Sequence, residues 1–153
     1  LTAAVQGLAA VLPVAGRLCP LGGPNGSRVI DDSYNANPDS VFAALQVLAS
    51  APGRRTMVLG DLAELGAAAV ELHREIGAQA ATAGIDRLFT VGQLSAAAGE
   101  RFDGEHRHFD ERDRLLDFLI GDLKAEDSLL IKGSRSARLD ELVEKLRQPE
   151  ASC

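Results

Sequence analysis

The sequence predicts an α/β domain: a mostly parallel sheet of about six strands with helices on both faces, preceded by a short N-terminal hairpin. Three observations carry this. Short apolar runs bounded by turn residues alternate with longer segments of helical periodicity. The runs at residues 56–60, 87–92 and 128–131 are almost continuously apolar, as strands buried on both faces of a parallel sheet must be. The segments between them are long enough for the right-handed crossover helices that parallel neighbours require. A chain of 153 residues holds one domain's worth of core.

Each element has its own reason. Leu1, Val5, Leu8 and Leu12 stand at helical spacing without an N-cap and end at Pro13. Residues 1–13 therefore read as the end of a preceding central domain or its linker, and 14–153 as the domain itself. Leu21-Gly22-Gly23-Pro24-Asn25-Gly26 is a turn by composition, so segments around 17–20 and 28–32 pair as the hairpin. Val29 and Ile30 are β-branched and favour a buried strand. Asn37 caps the next helix with Pro38 at its first position, where a missing N–H costs nothing. That helix covers 38–51, with Val41, Phe42, Leu45, Val47 and Leu48 apolar, and stops at Pro52-Gly53. After strand 56–60 and a polar loop at 61–66, a second helix covers 67–83 and closes at Gly84. Strand 87–92 leads to a short Ala-rich helix at 93–98 and a weak edge strand at 106–109, where His106 and His108 alternate onto one exposed face. Asp110 caps a helix containing Leu115, Leu116, Phe118, Leu119 and Ile120. Strand 128–131 runs into Lys132-Gly133-Ser134-Arg135-Ser136, and a last helix over 137–147 turns Leu139, Leu142, Val143 and Leu146 inward. Residues 150–153 fray. The arrangement is Rossmann-like.

A formal net charge of −6 argues against a nucleic-acid surface. No apolar run is long enough to span a membrane, and the chain does not open on the basic start of a signal peptide, so a cytoplasmic location is expected. Neither HxxxH nor CxxC occurs, so no metal site is expected from this chain alone. Neither GxGxxG nor GxxxxGK[ST] occurs, so it carries neither a dinucleotide fingerprint nor a P-loop.

Three strand ends carry polar clusters, and in a doubly wound sheet such ends share one edge, where ligands bind. Asp31-Asp32-Ser33-Tyr34-Asn35-Ala36-Asn37 is a ligand loop or simply a strand-to-helix turn, since Asn and Asp are common turn residues. Lys132-Gly133-Ser134-Arg135-Ser136 combines two cations, two hydroxyls and a following helix N-terminus, which suits an anion; the plainer reading is two solvated surface charges. Asp61 and Glu64 recognise an amine, act as a general base, or simply cap the next helix. His73 is expected near the sheet edge or in solvent. The chain has half of a site and no complete catalytic set.

Five motifs bear a resemblance that completes it. Gly16-Arg17-Leu18, Asp31-Asp32-Ser33-Tyr34-Asn35-Ala36-Asn37-Pro38, Val58-Leu59-Gly60-Asp61-Leu62-Ala63-Glu64-Leu65-Gly66, His73-Arg74-Glu75-Ile76-Gly77 and Lys132-Gly133-Ser134-Arg135-Ser136 follow one another as in the C-terminal domain of the Mur ligases. The resemblance implies the third, closing domain of a monomeric cytoplasmic enzyme of peptidoglycan synthesis. That enzyme activates a UDP-N-acetylmuramoyl tripeptide with ATP as an acyl phosphate, which an amine, D-alanyl-D-alanine, then attacks. By the same resemblance, ATP and Mg2+ are held mainly by a central domain and the UDP-sugar by an N-terminal one, both outside this chain. By position, Arg17, Asp32, Tyr34, Asn35 and Asn37 resemble nucleotide-binding residues, and Lys132, Ser134 and Arg135 resemble the turn that binds the incoming substrate. The alternatives are another Mur-type or folylpolyglutamate-type ligase domain, or a stand-alone α/β ligand-binding module.

Overall fold

A computed structural model describes residues 14–148; the helix expected at 1–12 and the fraying expected at 150–153 lie outside the described residues. Six strands form one sheet: β1 (Cys19–Gly22), β2 (Arg28–Asp32), β3 (Arg55–Gly60), β4 (Arg87–Val91), β5 (Glu105–Phe109) and β6 (Ser128–Lys132). Their order is β1-β2-β6-β3-β4-β5, with β1 antiparallel to β2 and every other pair parallel. Among the described residues, four α-helices cover it: α1 (Pro38–Ala49), α2 (Ala69–Thr82), α3 (Arg112–Asp122) and α4 (Leu139–Leu146). The mostly parallel sheet and its hairpin are as the sequence predicts.

Side-chain alternation sorts the helices. Val58, Leu129 and Ile131 point to the face covered by Leu115 and Leu119 of α3 and Leu142, Val143 and Leu146 of α4. Met57, Leu59 and Leu130 point to the opposite face, against Val41, Leu45 and Leu48 of α1 and Ile76 and Ala80 of α2. A period of two therefore splits each central strand between two cores.

Several boundaries move for local reasons. Leu21 and Gly22 belong to β1 and not to the turn, because Leu21 is buried opposite Val29. The Ala-rich segment after β4 is a 3₁₀ helix at Ser95–Arg101, and a 3₁₀ turn at Gly66–Ala68 precedes α2. Asp110 does not cap α3: Glu111 holds the N-cap position, without a side-chain cap. The last helix starts at Leu139 and not at 137, because Arg135–Ala137 is a 3₁₀ turn and Arg138 takes a left-handed φ of 51°.

The edge strand is more engaged than its alternation suggests. His106 Nε2 and His108 Nδ1 lie 3.1 and 3.0 Å from the same Thr90 hydroxyl on β4. Burial, helped by the charge of His108, holds the His106 imidazole below its ordinary 6.5. A lowered folded value means the native state resists the proton that the unfolded chain accepts. The stability it contributes is complete above pH 6.5 and is lost as pH falls through the window below it. Urea melts between pH 7 and 5 are expected to lose less stability in His106→Asn than in the parent, and identical slopes would remove this assignment.

Candidate functional site

The carboxyl ends of β2, β6 and β3 meet on one edge, and strand register decides what touches there. Asp32 ends β2 and Lys132 ends β6, and the parallel pairing sets the two side by side. Their side chains follow: Lys132 Nζ donates to Asp32 Oδ2 at 2.6 Å and to the Asn35 carbonyl at 3.0 Å. Lys132 is 1% exposed, so the plainer reading of it as a solvated surface charge is wrong. Burying an ammonium without such partners would be costly.

Two neighbouring carboxylates pin the segment that arrives before β1. Asp31 Oδ2 accepts from the Gly16 N–H at 2.8 Å, while its Oδ1 accepts from the Ser33 N–H and hydroxyl. Asp32 Oδ1 accepts from the Leu18 N–H at 3.1 Å. The Tyr34 N–H donates to the Gly16 carbonyl at 3.0 Å. Gly16 has φ +76°, and a Cβ there would sit 2.9 Å from that of Tyr34, so no side chain fits. Leu18 holds a left-handed φ of 49° without being glycine, strain of the kind that collects at functional sites.

The pinned segment carries Arg17, whose guanidinium lies 4.8 Å from the centre of the Tyr34 ring; Arg135 approaches the same ring at 5.9 Å. Tyr34 is thus an exposed aromatic platform beside two cations. Arg17, Asp32, Tyr34, Asn35, Asn37 and Lys132 all line one open cavity of about 310 Å³. The five residues read as nucleotide-binding are together, and Lys132 joins them although it was grouped with the turn. Asn37 does double duty: its Oδ1 accepts from the Ser40 N–H, and Ser40 returns the bond, a capping box that starts α1. Asn35 Oδ1 is likewise used, on the Ala36 N–H.

Ser134 and Arg135 stand on the other flank. Ser134 is buried, its hydroxyl donating to the Asp61 carbonyl at 2.6 Å and its N–H to the same oxygen at 3.0 Å. Asp61 does cap, but not α2: its Oδ1 accepts from the Leu94 and Ser95 N–H groups after β4. Beyond this turn a second cavity of about 560 Å³ opens, lined by Asp61, Gly92, Arg112, Ser136, Glu141 and Lys145 among others. Much of its charge is paired internally, Arg112 with Glu141 at 3.2 Å and Lys145 with Asp113 at 2.8 Å. The sequence reading missed this cavity, because residues 110–113 and 141–145 look like ordinary helix surface. It also passed over Asp31, whose neighbour Asp32 took the assignment.

His73 is not in solvent but fully buried, and it stands close to the edge as expected, its Nε2 3.1 Å from the Leu62 N–H in the loop that follows β3. Among the described residues, no group of three or more His, Cys, Asp or Glu side chains converges to hold a metal ion. Within the same residues, no helix is long and apolar enough to cross a membrane.

Known proteins resemble this chain in sequence and in fold. The family model described as Mur ligase, glutamate ligase domain, matches residues 16–135. The UDP-N-acetylmuramoyl-tripeptide--D-alanyl-D-alanine ligase of Escherichia coli K12 is 42% identical over 151 residues, which cover 97% of this chain and 33% of that one. A crystal structure of MurF from Acinetobacter baumannii superposes with a TM-score of 0.82 at 35% identity, over 95% of this chain and 33% of that one. MurF from Thermotoga maritima, solved in complex with ADP, gives 0.78 at 26% identity, over 92% and 32%. The chain therefore spans about a third of the length of the relatives it matches.

Proposed function

From the premise that this chain belongs to the Mur ligase family, as its glutamate ligase domain, we propose that it is the closing domain of an ATP-dependent ligase joining D-alanyl-D-alanine to a UDP-N-acetylmuramoyl tripeptide. The observation that carries this reading is the one-walled cavity of Arg17, Asp32, Tyr34 and Lys132, open on one side and rimmed by apolar surface. Leu18 and Tyr34 in its lining are 39 and 47% exposed, a surface suited to docking against another domain. In this reading residues 1–13 lead from the central domain, and that domain and the N-terminal one supply the P-loop, the magnesium ligands and the sugar-nucleotide site. The whole enzyme works as a monomer in the cytoplasm.

The chain's own residues then have distinct tasks. The Arg17 guanidinium meets phosphate oxygens, as a planar fork of donors does well. Asp32, held by Lys132, accepts from ribose hydroxyls. The Tyr34 ring and the remaining amide nitrogens of Asn35 and Asn37 border the nucleotide. Arg135 and Ser134 stand on the side from which the incoming dipeptide arrives, and Arg135 offers the exposed charge for its carboxylate. Rotation of the domain onto its neighbour brings this wall over the nucleotide and excludes water from the acyl phosphate, which would otherwise hydrolyse. The described residues provide no metal-binding cluster, and no step on this chain is assigned to magnesium.

Two results test this. The isolated chain is expected to bind ATP weakly and to hydrolyse none; robust turnover by it alone would overturn the reading. In the full-length ligase, Arg135→Ala is expected to raise the KM of D-alanyl-D-alanine about tenfold, the scale of one charged hydrogen bond, with less effect on that of ATP. Equal effects on both would withdraw the dipeptide assignment.

A further inference from the structure

The motif His73-Arg74-Glu75-Ile76-Gly77 is not used by the site as described, yet His73 has no exposed surface at all. Its two ring nitrogens have partners that fix their roles. The Leu62 backbone N–H, which only donates, lies 3.1 Å from Nε2. The Ala69 carbonyl, which only accepts, lies 2.7 Å from Nδ1. The imidazole therefore carries its proton on Nδ1 and presents a lone pair at Nε2.

That lone pair holds the start of the loop between β3 and α2, and the loop is a crosspiece for the whole edge. Leu62 is buried next to Asp61. The carbonyl of Asp61 takes both the N–H and the hydroxyl of Ser134 from the end of β6. Its carboxylate takes the Leu94 and Ser95 N–H groups beyond the end of β4. Three strand ends thus hang on one residue, and His73 fixes the peptide immediately after it. Gly77, one helical turn along the same face of α2, completes the device: a Cβ there would come within 1.8 Å of the Ala98 carbonyl, so its absence lets the segment after β4 close onto the helix.

We propose that His73 is a positioning residue: through Leu62 and Asp61 it sets the height of the Ser134-Arg135 turn, and hence of the side on which the incoming amine substrate is received. The substrate part of this rests on the ligase reading above; the positioning part does not. His73 touches no substrate and moves no proton.

Both parts are tested separately. In the chain itself, nitrogen-15 shifts of His73 are expected to show a protonated Nδ1 and an unprotonated Nε2; the reverse tautomer would overturn the proposal. Amide exchange at Leu62 and Ser134 is expected to quicken about tenfold in His73→Leu, which leaves a buried donor without an acceptor. It should stay near the parent rate in His73→Gln, whose side-chain oxygen reaches the Nε2 position. Unchanged exchange in His73→Leu at both amides would sink the positioning role. In the full-length ligase, His73→Leu is expected to raise the KM of the amine substrate about tenfold, with the KM of ATP within about twofold and with rescue by His73→Gln. An equal rise for both substrates, or failure of the Gln variant to rescue, would reject the substrate part. If the exchange results hold but the protein ligates nothing, the ligase reading fails and the positioning role stands.

Discussion

Lys132→Met is expected to lower the unfolding free energy of the chain by about 3 kcal/mol, the scale for stripping one partner from a buried ion pair. The ammonium is 2% exposed at its side chain and sits 2.6 Å from an Asp32 carboxylate that is 12% exposed. Removing it leaves that carboxylate with the Leu18 N–H but no counter-charge, and leaves the Asn35 carbonyl without its donor. Asp32→Asn combined with Lys132→Met should be less damaging than the sum of the two singles, because the second change removes the charge that the first left stranded. Urea melts of the parent, the two singles and the double read this coupling directly. A Lys132→Met variant within about 0.5 kcal/mol of the parent, the usual range for a surface change, would mean the pair is not buried in solution. If the chain belongs to the ligase proposed above, the same variant of the full-length enzyme should weaken ATP more than D-alanyl-D-alanine, since Lys132 braces the Asp32 side of the edge. The reverse order would restore Lys132 to the substrate turn.

That reassignment marks where the sequence was legible and where it was not. The apolar runs of β3, β4 and β6 announce themselves, since a strand covered on both faces has no polar side to hide. Asn37 and Pro38 are equally plain, because a cap and a first-turn proline act on their own neighbours. Lys132 is different. Its neighbours in sequence are Gly133, Ser134 and Arg135, but its partner is Asp32, 100 residues away, chosen by the register of β2 against β6. Asp31 and His73 fail to stand out for the same reason: their partners are the backbone N–H groups of Gly16 and Leu62, and nothing in a sequence marks which peptide will arrive beside which side chain. Asp110 shows the opposite error, a good cap residue lying one place too early, so that Glu111 takes the position without its chemistry. Position along the chain predicted which loops form the edge; register and buried backbone donors decided what each side chain does there.

At the far end of the same sheet, Asp127→Ala should cost more stability than any surface change, about 3–5 kcal/mol by the measure of broken buried charge pairs. Its side chain is 1% exposed and accepts from Arg54 Nε at 3.0 Å, Arg54 Nη2 at 2.6 Å and the Lys124 N–H at 2.9 Å. Arg87, 2% exposed at the start of β4, sits beside it, with Nη2 at 3.9 Å from Asp127, Nη1 on Asp122 and Nε on the Thr56 hydroxyl. Truncating Asp127 leaves Asp122 as the carboxylate paired with Arg87 and uncaps the turn before β6. The same group carries a pH signature. Burial pushes the Asp127 carboxyl upward, but the Arg54 bond, the Lys124 amide and the charges of Arg54 and Arg87 outweigh it and hold the group below its ordinary 3.8. The stability it gives is therefore complete above pH 3.8 and disappears as pH falls through the lower folded value. Acid titration of stability in Asp127→Asn should consequently be shallower below pH 4 than in the parent, while at pH 7 the variant is already weaker. Parallel acid curves for the two proteins, or an Asp127→Ala chain as stable as the parent at pH 7, would show that this network does not hold β4 and β6 together.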